Sequence, residues 1–459
     1  MAAPTYWLTT LGCAKNQVDS EKVQAMLAEA GYQAADSPGV ADVVMVNTCA
    51  FIEDARRESV ETILGLQEEK RPDARTVVLG CMAQRFGVEV EQALPEVDSV
   101  LGLDRYGELV STLDRLTGQD SAGQDLAGQD NWRPVSLRRP AMDILYAVNR
   151  PQPTLPYAYV KVAEGCDKPC TFCAIPLIRG KQRSRRPVNI AQEVAGLVAA
   201  GVTEVVLVAQ DLAAYGRDID APGGLVELID LLDGIDDLVR LRLLYLYPKE
   251  IKPNLIDQIA HNPKVASYFD LSLQHASEKL LRGMKRPGGT DRYLDLIGQI
   301  READPDAALR SSFIVGFPGE SDDHVEELAD FLTEARLDWA GFFPYSAEDG
   351  TPAALLDGRV ESEIVSERHR YLQGIQDEIT SEAGAAMIGR RVEVLVDQVE
   401  DGVAVARSYR EAPEIDGVIT IDAGSPGDWL EIEVTASFGS ELEGRVVTHH
   451  APRTTQHSA

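Results

Sequence analysis

Residues 161–176 read KVAEGCDKPCTFCAIP and hold half of the six cysteines in this 459-residue chain: Cys166, Cys170 and Cys173. Three residues separate the first two and two separate the second pair. No cysteine follows Cys173. A structural zinc site closes its tetrahedron with four protein ligands, and no histidine lies nearby to serve as the fourth. Three thiolates on a four-iron cluster instead leave one iron open to a small molecule, since such clusters usually take four cysteines. The stretch directly follows an apolar, strand-like run, AYVKVAEGC.

Working outward, the same rhythm continues. Strand-like runs recur at EVVLVAQD, RLRLLYLYP, YFDLSLQH, LRSSFIVGFPG and WAGFFPYS, most of them separated by helical patterns such as NIAQEVAGLVAAG. Six successive strand–helix units predict a partial (β/α) barrel over 154–380, with its chemistry at the strand C-termini. Polar residues at those ends become candidates for ligand contact: Gln210 and Asp211 after VVLVA, and Gln274 and His275 after LSL. The basic run RGKQRSRR places Arg179, Lys181, Arg183, Arg185 and Arg186 just past the cysteines. Basic clusters recognise carboxylates, which makes these five candidates for holding substrate or balancing an anionic group.

The other three cysteines lie upstream, and each closes a short apolar run: Cys13 after YWLTTLG, Cys49 after ADVVMVNT, Cys81 after RTVVLG. Alternating strands and helices predict a doubly wound parallel α/β domain over 1–116. Ligands of such sheets bind beyond the carboxyl ends of the strands, so the trio is placed to converge. Asp19 and Ser20 read as caps of the first helix. Residues 117–153 carry GQD three times at five-residue spacing and read as a linker. From 388 to 450 short alternating strands with turn signals predict a small β-barrel, followed by a disordered tail at 451–459. The fold class is α/β multidomain.

Composition excludes several roles. The chain carries 44 Lys and Arg against 74 Asp and Glu, a net charge of −30. So acidic a chain repels phosphate backbones, which makes direct nucleic-acid binding unexpected and a basic protein partner expected. No basic n-region and apolar core open the sequence, and no apolar run reaches the ~18 residues of a membrane span, so the expected location is the cytoplasm.

The CxxxCxxC spacing, with the aromatic Phe172 before its last cysteine, resembles the radical S-adenosylmethionine superfamily. A three-cysteine N-terminal domain, such a barrel and a C-terminal TRAM-like β-barrel together resemble the methylthiotransferase family. Within it, LGCAKNQVDSE, VAEGCDKPCTFCAIPLIRGKQRSRR and LSLQHASEKLLRGMKRPG are similar to the branch acting on small-subunit ribosomal protein S-twelve. The resemblance implies two 4Fe-4S clusters, one on Cys166, Cys170 and Cys173 and an auxiliary one on Cys13, Cys49 and Cys81. It implies S-adenosyl-L-methionine as cofactor, with Phe172, Gln210, Asp211, Gln274, His275 and Gly316 as its candidate contacts. The implied reaction is radical removal of hydrogen from an aspartate β-carbon, insertion of sulfur and transfer of a methyl group. The implied partners are protein S-twelve or the small ribosomal subunit, a one-electron reductant and a sulfur donor. Two further readings remain: a tRNA methylthiotransferase of the MiaB kind, and a non-catalytic iron–sulfur scaffold.

Overall fold

The computed structural model describes residues 3–119, 145–146, 148–219, 221 and 223–449. Of the GQD repeats only Gly118 and Gln119 are described, and the 451–459 tail lies outside the described residues. The chain divides into two compact units, Met1–Pro151 with Cys173–Lys181, and Gln152–Phe172 with Gln182–Ala459.

In the first unit five strands, β1 (Thr5–Thr10), β2 (Gln33–Ala34), β3 (Val43–Thr48), β4 (Arg75–Leu79) and β5 (Ser99–Gly102), form one parallel sheet in the order β2-β1-β3-β4-β5. Strand β3 is VVMVNT and is buried at every position, as expected where helices cover both faces of a parallel sheet. The chain leaves β1 toward one edge and returns to β3 on the other side. That reversal opens a crevice at the carboxyl ends of β1 and β3. Helices Ala14–Glu29, Glu53–Glu69 and Gly80–Ala93 follow β1, β3 and β4. The first begins earlier than its sequence suggests. Asp19 and Ser20 are not caps but buried side chains inside it, with Cys13 at the N-cap. Ser20 accepts hydrogen bonds from Thr10 and Asn47, and Asp19 holds a buried cation described below. Internal partners of this kind leave neither side chain available to cap.

The second unit contains six parallel strands. β6 (Tyr157–Lys161), β9 (Glu204–Val208) and β10 (Arg240–Leu243) form one sheet, with a two-stranded hairpin, β7 (Ala163–Glu164) and β8 (Arg183–Ser184), between β6 and β9 in sequence. β11 (Tyr268–Gln274), β12 (Ala308–Val315) and β13 (Trp339–Pro344) form another. Single bridges from Leu241 to Val265 and Leu246 to Leu271 join the two sheets. The strands thus run in sequence order around an open barrel, over an apolar core that includes Val205, Leu207, Leu241, Phe269, Leu309 and Phe313.

After helix Ser362–Ala385 the chain closes a five-stranded barrel: β14 (Arg391–Glu400), β15 (Val403–Arg407), β16 (Ile419–Ile421), β17 (Trp429–Phe438) and β18 (Glu441–His449), in the order β14-β15-β16-β18-β17. The segment between β15 and β16 packs against the opening residues of the central strands. Arg242 donates to the carbonyls of Ser408 (3.0 Å) and Tyr409 (2.6 Å). Tyr159 donates to Pro413 O, Tyr268 to Asp416 and Trp339 to Arg410 O. Arg407 reaches Glu204, the first residue of β9, at 3.3 Å. The small barrel therefore covers the N-terminal end of the open barrel and leaves the C-terminal end, where barrel chemistry is sited, to the cysteine loop.

Candidate iron–sulfur centres

The N-terminal trio lies on three parallel strand ends, each leading into a helix. Cys13 is the N-cap of Ala14–Glu29, Cys49 precedes Glu53–Glu69, and Cys81 is the second residue of Gly80–Ala93. Helix N-termini present unpaired N–H groups and positive dipole ends, a setting that favours anionic sulfur. Two glycines allow the close approach. Gly12 and Gly80 have φ of +93° and +92°. A Cβ on Gly12 would lie 2.8 Å from Cys49 Cβ, and one on Gly80 would lie 2.3 Å from Asn47 Oδ1. A charge on one sulfur disfavours a charge on the next: Cys13 raises Cys49, and both raise Cys81.

Their environments differ. Burial raises the Cys13 thiol, but Lys15, Arg179 and the N–H groups of Asn16 and Lys15 outweigh it, leaving Cys13 below the ordinary thiol value. Burial pushes Cys49 up and carries Cys81 to about 12 against the pull of Arg179. Lone thiols buried this way resist ionisation, whereas iron binds the thiolate directly. Among the described residues no three His, Cys, Asp or Glu side chains converge on the volume of a single metal ion. A four-iron cluster is a larger body and takes ligands set further apart.

The second trio is carried on the loop after β7. Lys168 N donates to Cys166 Sγ (3.5 Å). Thr171 fixes the loop: its N–H donates to Met284 O and its hydroxyl to Gly283 O, while Ala353 N donates to its carbonyl. Arg286, from the same GMKR stretch, donates to Cys170 Sγ at 3.4 Å and lies over the Tyr247 ring. Burial raises Cys166 to about 11. Cys166 and Cys170 belong to the second compact unit, and Cys173 opens the Cys173–Lys181 segment of the first.

The strand-end residues fall as follows. Gln210 donates to Glu164 (3.2 Å), and its Oε1 is buried without a hydrogen-bond partner. Asp211 is buried beside Lys168 (3.2 Å). Gln274 closes β11 at φ +74°, a left-handed conformation rare for a side chain of this kind. His275 is fully buried; its Nδ1 accepts from Ser277 N, and its Nε2 lies 3.6 Å from Glu320. Glu320 in turn accepts from Gly316 N (3.0 Å) and pairs with Arg368 (2.9 Å), which pins the GFPGE turn. Phe172 packs against the central core.

The basic run is not one patch. Arg179 is buried in the first unit against Asp19, Asn16 and Cys81. Arg185 is buried with Glu193 (2.6 Å), Arg183 is half-buried with two guanidinium nitrogens lacking hydrogen-bond partners, and Lys181 and Arg186 are exposed. Arg286, Lys15 and Asn16 had no assigned role in the sequence. The signal that could have found Lys15 and Asn16 is their place beside Cys13 in GCAKN.

Comparison with known proteins fits this arrangement. Residues 5–102 match an uncharacterized protein family, UPF0004, residues 160–332 the radical SAM superfamily, and residues 388–447 the TRAM domain. The chain is 42% identical to the ribosomal protein uS12 methylthiotransferase RimO of Saccharopolyspora erythraea, covering 96% of this chain and 94% of that one. It is 41% identical to the RimO of Cutibacterium acnes, with 96% and 98% covered. The chain belongs to the RimO family. It is therefore a radical S-adenosylmethionine methylthiotransferase. The RimO of an Anaeromyxobacter strain is 40% identical over 98% of this chain. The fold is also that of the radical S-adenosylmethionine methyltransferase TsrM from Kitasatospora setae, with a TM-score of 0.53 at 15% identity, covering 83% of this chain and 90% of that one. Among the described residues no helix is long and apolar enough to cross a membrane.

Proposed function

We propose that this RimO-family chain methylthiolates the β-carbon of an aspartate in uS12, small-subunit ribosomal protein S-twelve. The observation that carries the reading is the pair of strand-end cysteine trios in a chain about 40% identical, over nearly its full length, to uS12 methylthiotransferases. Cys166, Cys170 and Cys173 hold one 4Fe-4S cluster, and Cys13, Cys49 and Cys81 hold the other. When bound, the first cluster and S-adenosylmethionine supply one-electron chemistry able to take hydrogen from an unactivated carbon, which no side-chain acid or base does at a useful rate.

The protein's own part is to bind, orient and exclude water. Thr171 and Arg286 fix the loop that presents Cys166 and Cys170. Gln210, whose buried oxygen lacks a partner, and Gln274, held in a strained conformation, offer polar groups to S-adenosylmethionine at the strand ends. Asp211, His275 and Gly316 shape the same rim, and the Glu320 brace sets the position of Gly316. Arg183, with unpartnered guanidinium nitrogens, suits a carboxylate, and Lys181 and Arg186 add exposed positive charge for substrate. Residues 1–116, 154–380 and 388–450 form three functional modules. The chain works in the cytoplasm with a one-electron reductant and a sulfur donor.

The small barrel serves as the docking module for uS12. Arg407 and Arg410, two of its few cations, are spent on buried contacts with Glu204 and Asp338. In strand register Glu393 stands opposite Glu431 and Glu433 stands between Arg391 and Arg445, while Glu441 and Glu443 lie further along β18. Across residues 388–450 five arginines face thirteen Asp and Glu, an excess of negative charge that steers a basic partner toward the barrel. Incubating anaerobically reconstituted protein with uS12, S-adenosylmethionine and dithionite tests the reading. Methylthiolated uS12 is expected, and 5′-deoxyadenosine without any modified uS12 would contradict the substrate assignment.

A further inference from the structure

We infer that Arg179 is the counter-cation of the N-terminal thiolate site and sets the reduction potential of the cluster held there. This rests on the reading of Cys13, Cys49 and Cys81 as cluster ligands. Arg179 stands six residues after Cys173, in the basic run that follows the second trio. By sequence it belongs with that trio. The structure places it elsewhere, because the Cys173–Lys181 segment is part of the first compact unit. Ala174 and Ile178 pack into the N-terminal core, and the short helix Ile175–Ile178 brings the next side chain inward.

The guanidinium is fully enclosed, with its side chain 1% exposed. Nη2 donates to Cys81 Sγ at 3.3 Å and to Asn16 Oδ1 at 2.6 Å, and Nη1 donates to Asp19 Oδ2 at 3.2 Å. Asn16 is itself fixed, since its Nδ2 donates to Leu11 O (2.8 Å) and Thr48 O (3.1 Å). That turns its carbonyl oxygen toward Arg179 and Cys81. The helices after β1 and β4 thus hold one cation beside the thiols, with the end of β3 fixing Asn16. A cation enclosed in this way faces no substrate.

Energetics say what it is for. Burying an ion pair is costly, and a well-packed apolar pair of similar volume is often as stable. Asp19 alone does not account for the fork's second arm lying on a cysteine sulfur. Three thiolates on a four-iron core form an anionic body, and reduction adds a further negative charge. A fixed guanidinium donating to one of those sulfurs favours the reduced form more than the oxidised one. Net charge and hydrogen bonds to sulfur are among the factors that set cluster potentials. One short segment therefore supplies a ligand of one trio, Cys173, and the cation of the other.

The test uses the full chain with Cys166, Cys170 and Cys173 replaced by Ala, so that only the N-terminal cluster is present. Its reduction is followed by electron paramagnetic resonance at poised potentials, with Arg179 intact, as Arg179→Lys and as Arg179→Gln. The expected result for Arg179→Gln is a midpoint lowered so that the oxidised-to-reduced ratio at a fixed potential rises about tenfold, or ~59 mV for a one-electron couple. Arg179→Lys, which keeps the charge and loses the fork, falls between. Equal midpoints in fully loaded protein overturn the proposal. If a variant fails to hold iron while its apo chain melts as the parent does, the cation is required by the cluster and the proposal stands. If the apo chain is already unfolded, Arg179 belongs to the fold and the proposal falls. A separate control keeps the two readings apart. Should the chain with Cys13, Cys49 and Cys81 all replaced by Ala hold as much iron as the unaltered protein, the cluster assignment itself fails, whatever Arg179 does.

Discussion

Glu204→Gln tests how the small barrel is fastened to the catalytic unit. The Glu204 side chain is 0% exposed and faces three guanidiniums: Arg242 at 2.9 Å, Arg407 at 3.3 Å and Arg240 at 3.7 Å. Asp397 also binds Arg407, whereas among the described residues Glu204 is the carboxylate paired with Arg242. Burial raises the Glu204 carboxyl, yet Arg407, Arg242 and Arg240 outweigh it and hold it at about 2, below its ordinary 4.5. That displacement is worth roughly 3 kcal/mol, the low end of the ~3–5 kcal/mol for breaking one side of a buried pair. At ~2–4 °C per kcal/mol for a large domain, the variant should melt on the order of 10 °C lower by calorimetry of the full chain. A depressed carboxyl contributes its stability above its unfolded pKa and loses it as pH falls through the folded one. The gap between wild type and variant should therefore be full at neutral pH and narrow from about pH 4.5 toward pH 2. Equal melting temperatures at neutral pH, or a gap that widens in acid, would mean that Glu204 does not fasten the barrel through its charge.

Reversing Glu431 and Glu433 to Lys on the outer face of the small barrel should weaken binding of isolated uS12. Binding by the unaltered protein should fall with added salt, as charge-steered association does. In a binding titration, salt-sensitive capture of tRNA with none of uS12 would count against the docking assignment. Gly80→Ala should lose the N-terminal cluster and lower the melting temperature, because its Cβ would meet Asn47 Oδ1 at 2.3 Å and the Thr48 backbone at 2.7–2.8 Å; such overpacking costs ~1–3 kcal/mol. Gly31→Ala, at φ +89° with nothing within 4 Å, should keep its iron and pay only the backbone strain, ~1–2 kcal/mol.

The two trios were legible because each sulfur follows a strand in sequence, and strand ends are where such sheets gather ligands. The same local logic misread Asp19 and Ser20. Both are good capping residues, but their partners, Arg179 and Asn47, come from distant positions that no helical pattern announces. The run RGKQRSRR was legible as charge and not as placement. A compact-unit boundary falls inside it, so Arg179 turns toward Cys81 while Arg185 turns toward Glu193. The attachment of the small barrel was equally hidden. Arg407 and Glu204 lie 203 residues apart, and nothing in the β-pattern around Arg407 marks it as an anchor. Gln274 reads as a polar strand end; its left-handed backbone accompanies a register shift in β11 that no sequence pattern marks.

In the proposed function two cysteine trios divide one reaction between them. The most direct measurement is mass spectrometry of uS12 and of the nucleoside products from three reconstituted proteins given S-adenosylmethionine and dithionite. The unaltered chain should hold about eight irons, as two four-iron clusters require, and should yield both 5′-deoxyadenosine and methylthiolated uS12. Replacing Cys166, Cys170 and Cys173 with Ala should abolish both products. Replacing Cys13, Cys49 and Cys81 with Ala should leave 5′-deoxyadenosine formation and abolish methylthiolated uS12. Methylthiolated uS12 from that last protein would mean that the N-terminal trio does not supply the sulfur step.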